Sequence, residues 1–462
     1  MSHGCLLDKV SEQSVKARLV FVVIFIAISV LRALLPGPVI TPDSIFFTRL
    51  ADNMAQNHCY SLSQVQGAAC VPSWGSQLPG YPLFLMFVRM FSEEAYLVFI
   101  VQSLLFGAAA TFALRAAYDW HKQPIILFAS AVIVAISPLS LAWPRWVLTE
   151  SLAGAAGLWV LGLIYRSALL NKPQVFQMAL AVTVATLLRW DQIWLVFPVF
   201  ILLIHVSKIQ KGFLQTAIVG FCACIPALVM VVRAYMVGLP LLPGVLSDPT
   251  LPPGSLAFWQ VASVNEQATS GFLWRVWNRQ YSTIADDFDF RSIRGDLPVE
   301  RVRQLFKKVQ EIPNGTPLPA QIDVEFGQIA KLPELAGTKA YLLLLLERAK
   351  EMWFNKSVLW QSGWSGVQHA DAVETVSRFY RIALLLLCVV LIIVGRGTVR
   401  LIMIGVVGYI CLRTFFLVSL TSLESRYLAP MFPVMEVALL LVIGDLANRI
   451  KRSRSEVVCT PI

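Results

Sequence analysis

The chain has 462 residues, 57% hydrophobic and 14% charged, and a mean hydropathy of +0.67. Soluble proteins carry roughly 25% charged residues, so an ordinary cytosolic enzyme is excluded. A formal charge of +10 could suit nucleic acid, but the 38 Lys and Arg are distributed as markers of membrane orientation, and no nucleic-acid partner is expected.

The apolar residues gather into about ten runs, predicted as membrane-spanning helices over 19–36, 95–117, 124–142, 147–165, 174–189, 191–206, 212–237, 379–395, 398–420 and 428–447. Most have the length that crosses a hydrocarbon core of ~30 Å. With the N-terminus inside, the inner connections hold fifteen Lys and Arg, among them Lys16, Arg18, Arg115, Lys122, Arg166, Lys172, Lys208, Lys211, Arg396 and Arg400. The short outer connections hold three, Arg145, Arg189 and Arg426. This asymmetry is the positive-inside pattern and places both termini in the cytoplasm. The first run follows basic residues as a signal peptide would, but it lacks a small-x-small cleavage site and contains Arg32, so it reads as a retained anchor.

The expected fold class is therefore an all-α polytopic membrane protein. An N-terminal membrane module, 1–238, includes a first outer loop over 37–94; an outer cap spans 239–378; a C-terminal membrane module, 379–462, ends in a basic tail. In the first outer loop Thr41-Pro42-Asp43 predicts a helix start, with Pro42 in the first turn and Asp43 near the positive end of the dipole. Further on, Leu78-Pro79-Gly80-Tyr81-Pro82 opens an apolar stretch too short to span, which reads as an interfacial helix. The cap segment contains ten prolines, a charged stretch over 299–311 and an apolar helix around 341–354, and reads as a cover resting on the membrane.

Cys59 and Cys70 fall together in the first outer loop. A disulfide is expected there, two free thiols being the alternative. Cys222 and Cys224 lie in an apolar run and the five His are scattered, so no metal site is expected.

Charged side chains at membrane depth are costly and call for a functional reading. Each short outer turn joins an Arg to a carboxylate: Arg145 with Glu150, Arg189 with Asp191, and Arg426 with Glu424. Singly these are interfacial ion pairs within an aromatic belt of Trp143, Trp146, Trp190 and Trp194. Together they make an outer vestibule whose acids could serve as bases and whose cations could bind phosphate.

The order of these segments resembles the polytopic glycosyltransferases of the C-type fold (GT-C), in particular the bacterial branch similar to protein O-mannosyltransferases and to the aminoarabinose transferase of lipid A. Asp43, Ala51-Asp52-Asn53-Met54, Tyr60 and Leu78-Pro79-Gly80-Tyr81-Pro82 match that family's first-loop layout. Leu148-Thr149-Glu150-Ser151 resembles its Thr-Glu turn, Leu187-Leu188-Arg189 its Leu-Thr-Arg-Pro element, and Glu424-Ser425-Arg426-Tyr427 its final Glu-x-Arg-Tyr turn. The chain departs from the pattern where Ser44 follows Asp43 in place of a second acid, where Phe47 replaces a frequent Tyr, and where Trp190 replaces the Pro after Arg189.

The resemblance implies a bacterial inner-membrane enzyme with its active site facing the periplasm. It would move a sugar from a polyprenyl-phosphate donor to a hydroxyl of a membrane lipid, a polysaccharide or a secreted protein, with inversion and without a metal or other cofactor. It implies Asp43 as the base, Arg189 and Arg426 as phosphate binders with Arg49 and Arg145 in reserve, and Glu150, Asp191, Glu424, Tyr427 and Tyr81 as orienting or sugar-binding groups. Asp287-Phe288-Asp289 mimics the metal-binding Asp-x-Asp of nucleotide-sugar enzymes but falls in a segment predicted outside. The alternatives are a flippase or transporter of lipid-linked sugars, for which Arg32, Arg233 and Arg413 would mark a path, and an O-antigen polymerase or ligase.

Overall fold

The computed structural model describes residues 3–458 apart from 36, 63–77, 142, 239–251, 266–267, 287, 336, 356–369 and 421–422. Among the described residues the chain is helical, with two isolated β-bridges, Val39 to Trp146 and Ser263 to Ile293. The helices, in order, are α1 (His3–Ala33), α2 (Pro42–Asn57), α3 (Gly80–Arg89), α4 (Ala95–His121), α5 (Pro124–Ile136), α6 (Glu150–Leu170), α7 (Val175–Leu188), α8 (Val196–Val206) and α9 (Ile209–Met236). They continue with α10 (Pro253–Ala262), α11 (Trp274–Trp277), α12 (Val299–Gln310), α13 (Ala320–Ala330), α14 (Thr338–Phe354), α15 (Ala370–Val394), α16 (Gly397–Ser419) and α17 (Phe432–Val458).

Among the described residues six helical segments are long and apolar enough to cross a membrane: α4, α6, α9, most of α15, α16, and Arg426–Lys451. The expected spans over 124–142 and 174–189 are shorter than predicted, and the one over 191–206 is a continuous helical segment, Trp190–Val206, whose first part is 3₁₀ and whose α-helical part is α8. Helix α5 has 13 residues, α7 has 14 and α8 has 11, so α5 and α7 are each about 20 Å long. That leaves about 10 Å of a bilayer core to the turns that follow them. Helix α7 runs instead into a 3₁₀ turn at Trp190–Leu195, and another 3₁₀ turn at Ser425–Met431 precedes α17.

The early stop of α5 explains Arg32, which is fully buried. Its Nη1 donates to the Ser140 carbonyl at 2.6 Å, and its Nη2 donates to the Val134 carbonyl at 2.9 Å and to Ser140 Oγ at 2.8 Å. The guanidinium also lies 3.7 Å from the centroid of Phe106. A buried cation thus satisfies carbonyls that a helix end leaves without intrahelical partners.

The two segments that flank the membrane bundle are built from local signals. Thr41 and Ser44 form a reciprocal capping box at the start of α2, Ser44 N donating to Thr41 Oγ1 at 3.2 Å and Thr41 N to Ser44 Oγ at 3.0 Å. Helix α3 can settle on the end of α7 because Gly80 lacks a side chain; a Cβ there would stand 2.4 Å from the Leu187 carbonyl oxygen. In the cap, α12 buries Val302, Leu305, Phe306 and Val309 while exposing Arg301, Arg303, Lys307 and Lys308, the one-sided pattern of a helix packed on a core. The segment has a hydrophobic centre of its own, in which Phe258, Phe272, Phe306 and Phe326 meet ring to ring. Helix α14 ties it to the bundle: Arg348 donates to the Ser263 and Val418 carbonyls at 2.9 and 3.0 Å, and Trp353 to Thr414 at 3.1 Å.

Cys59 is disulfide-bonded, and its expected partner, Cys70, lies outside the described residues. A bridge between them closes a short loop, worth ~2–3 kcal/mol in the chain-entropy model. Intact mass after alkylation without reductant should show both thiols protected, and alkylation of both in the folded protein would remove that pairing.

Candidate active site

The turns before α6, α8 and α17 and the start of α2 converge at one end of the bundle. Parallel pairing holds α2 against the turn before α6: Val39 N donates to the Arg145 carbonyl at 2.8 Å and Val147 N to the Val39 carbonyl at 3.4 Å. Gln102, buried on α4, braces the same turn, donating from Nε2 to the Pro144 and Trp146 carbonyls at 3.0 and 3.1 Å while accepting from Tyr81 at 3.2 Å. Asp43 in the first turn of α2 and Glu150 in the first turn of α6 are thereby placed at two positive helix ends.

Between them lie the arginines. Arg426 binds Asp43 through Nη2 and Glu424 through Nε, and its Nε is 4.0 Å from Glu150 Oε1. Arg189 forks onto Asp191, Nε to Oδ1 at 3.1 Å and Nη2 to Oδ2 at 3.0 Å. Its Nη1 reaches Thr149 Oγ1 at 3.1 Å and Glu150 Oε1 at 3.2 Å. The Tyr427 ring separates the two cations, its centroid 4.7 Å from Arg189 Cζ and 5.2 Å from Arg426 Cζ. The face of an aromatic ring attracts cations, so ring and carboxylates together hold two like charges near one another. Asp43 keeps 28% of its side chain exposed, against 6% for Arg426 and 3% for Glu150. With one oxygen on Arg426, its other oxygen has no protein partner among the described residues and is the open acceptor of the group.

The structure thus brings together Asp43, Glu150, Arg189, Asp191, Glu424, Arg426 and Tyr427, and it adds Thr149 and Arg413. Arg413, fully buried on α16, donates to Asp191 Oδ2 at 2.8 Å. Its depth in an apolar run signals a special role and Thr149 stands within the Thr-Glu turn, whereas Gln102 carries no signal of its own. Three expected site residues lie elsewhere. Arg49 lies on another side of α2, where it lines a cavity of about 640 Å³ with Thr48, Asp52, Gln56 and Arg89; its Nη1 donates to the Leu62 carbonyl at 3.3 Å. Arg145 is spent on the loop before α2, donating to the Gly37 carbonyl at 3.2 Å, and burial pushes its pKa below the usual arginine value. Tyr81 is a buried packing residue against Phe47 and Gln102.

Of the acidic pair in the cap, Asp287 lies outside the described residues. Both oxygens of Asp289 accept from Arg291, whose hydrogen bonds hold that carboxyl below the usual carboxylate range. The other membrane-depth cation, Arg233, donates to the Tyr60 carbonyl at 2.8 Å.

No family model matches the chain, and no curated protein matches it. Two solved structures resemble it, both of ArnT from Cupriavidus metallidurans, one bound to undecaprenyl phosphate and one in the apo state. Each is 13% identical and is matched over 94% of this chain and 78% of its own, with TM-scores of 0.35 and 0.37 respectively.

Proposed function

We propose that the protein is an integral-membrane glycosyltransferase of the C-type fold, transferring a sugar from a polyprenyl-phosphate donor to an acceptor hydroxyl on the outer face of the bacterial inner membrane. The observation that carries this reading is the convergence, from both ends of the chain, of an open carboxylate on Asp43 with the Arg426 and Arg189 guanidiniums. The ordered resemblance of the turns supports it.

In the step proposed, the acceptor oxygen attacks C1 of the sugar from the side opposite the phosphate, and the C1–O bond to phosphate breaks with its electron pair on the phosphate oxygen. Asp43 takes the hydroxyl proton as a general base. Arg426 and Arg189 face the oxygen that gains charge, the role a metal ion fills in other transferases. A guanidinium keeps its charge throughout and presents paired N–H groups that match phosphate. Glu150, Asp191, Glu424 and Tyr427 fix the direction of those forks. The short helices α5 and α7 lower the turns toward the level at which a lipid phosphate lies.

A transporter of lipid-linked sugars needs charged groups along a path through the bundle. Arg32 is instead bound to the carbonyls around the end of α5, Arg233 donates to Tyr60 and Arg413 to Asp191, which counts against such a path.

The orientation is tested with single cysteines, Thr316→Cys in the cap and Lys172→Cys between α6 and α7, in a chain otherwise freed of reactive thiols. A membrane-impermeant maleimide should modify the first in intact cells and the second after permeabilisation alone. Equal modification of both in intact cells would sink the topology.

A further inference from the structure

We infer that Arg413, buried among the membrane helices, is a positioning residue that neutralises Asp191 and so releases the Arg189 charge for an anionic ligand. The inference rests on the glycosyltransferase reading, and it concerns what the second layer of charge does there.

Buried arginines in this protein work in two ways. Arg32 and Arg348 spend several N–H groups on backbone carbonyls, Arg32 around the end of α5 and Arg348 on Gln260, Ser263 and Val418. They are clamps. Arg413 is equally buried, yet its hydrogen bonding is confined to Asp191; its Nε and Nη1 have no hydrogen-bond partner among the described residues. The oxygen it binds, Asp191 Oδ2, is one that Arg189 already holds at 3.0 Å. A group placed that way contributes charge to a carboxylate more than it fastens helices. One turn earlier on α16, Tyr409 donates to Gln192 Oε1 at 2.9 Å, which sets the register of the Trp190–Leu195 turn against α16.

The formal charges show why the site needs it. Asp43, Glu150, Asp191 and Glu424 bring four negative charges, and Arg189, Arg413 and Arg426 bring three positive ones. Without Arg413, Asp191 would rely on Arg189 alone, and the cluster would stand at minus two before any phosphate arrived. A buried ion pair binds its own members most tightly when no third charge competes. Arg189 would then be committed to Asp191 and lost to the ligand.

The test uses the full-length protein in nanodiscs with undecaprenyl phosphate as the probe, alongside turnover of the lipid-linked donor. Arg413→Gln removes the charge and keeps a polar side chain at that position; affinity for the probe should fall about 10–100-fold, whereas Arg413→Lys should stay within about threefold of wild type. The double variant Arg413→Gln/Asp191→Asn removes both charges. It should regain at least tenfold of the lost affinity while turnover stays low, because Arg189 is then free but no longer aimed. A purely packing role predicts that the second substitution adds damage and that Lys and Gln behave alike. Wild-type binding with unchanged affinity in Arg413→Gln, or no recovery in the double variant, overturns the role of Arg413 alone. Failure of the wild-type protein to bind the probe overturns the reading beneath it and this role together.

Discussion

Asp43→Asn should lower sugar transfer by about 100-fold or more while leaving affinity for the lipid phosphate near that of the native protein. The substitution keeps the size of the side chain and an oxygen that can accept from Arg426, so the start of α2 should survive; its capping box uses Thr41 and Ser44 and does not involve position 43. The proton acceptor is what disappears. Arg426 retains Glu424 as a partner and has Glu150 at 4.0 Å, so the phosphate-facing cation stays in place. Transfer of a labelled sugar from a polyprenyl-phosphate donor, with donor binding measured on the same samples, separates the two quantities. Near-normal turnover would remove the assignment and move the base to Glu150. Absence of transfer by the native protein across a panel of such donors would favour a flippase.

Arg426→Ala should impair binding and turnover together, by about 10–100-fold in affinity with a further loss in rate, and it should also lower stability. Removing one partner of a buried ion pair costs about 3–5 kcal/mol. The low end applies here, because Asp43 and Glu424 keep 28% and 21% of their side chains exposed and water offsets part of the loss. Arg426→Lys should recover stability better than activity. A single ammonium restores the charge but cannot meet Asp43 and Glu424 along two edges of one planar group. The readouts are thermal unfolding in detergent, probe binding and turnover. Unchanged binding in Arg426→Ala would place the phosphate elsewhere, with the α2 cavity beside Arg49 and Arg89 as the next candidate.

Short-range features were legible from residue order because their causes are local. Apolar runs locate helices, and Thr41-Pro42 announces the start of α2. Two of the expected pairs of Arg and carboxylate, Arg189 with Asp191 and Arg426 with Glu424, are residues the structure brings together, whereas Arg145 turns to the Gly37 carbonyl. Helix geometry even contained the warning about Arg49: six residues at about 100° each place it about 120° around α2 from Asp43, on a side that lines another cavity. The motif around Tyr81 suggests a site residue, whereas packing makes Tyr81 a brace for Gln102.

What tertiary structure alone decided are the contacts between residues far apart in the chain. Asp43 meets Arg426 across 383 positions and Asp191 meets Arg413 across 222, and no local pattern couples such pairs. The end of α5, by contrast, is local: Pro138 has no N–H to return to the Val134 carbonyl and holds Ser137 out of the helical region at φ −51° and ψ 122°, and tertiary structure decides only that Arg32 binds the carbonyls of Val134 and Ser140 and that Glu436 accepts from Ser137. Hydropathy and capping act over one or two turns and are written in neighbouring residues. The partner of a buried charge depends on which helices pack together, so it becomes readable once the bundle is assembled.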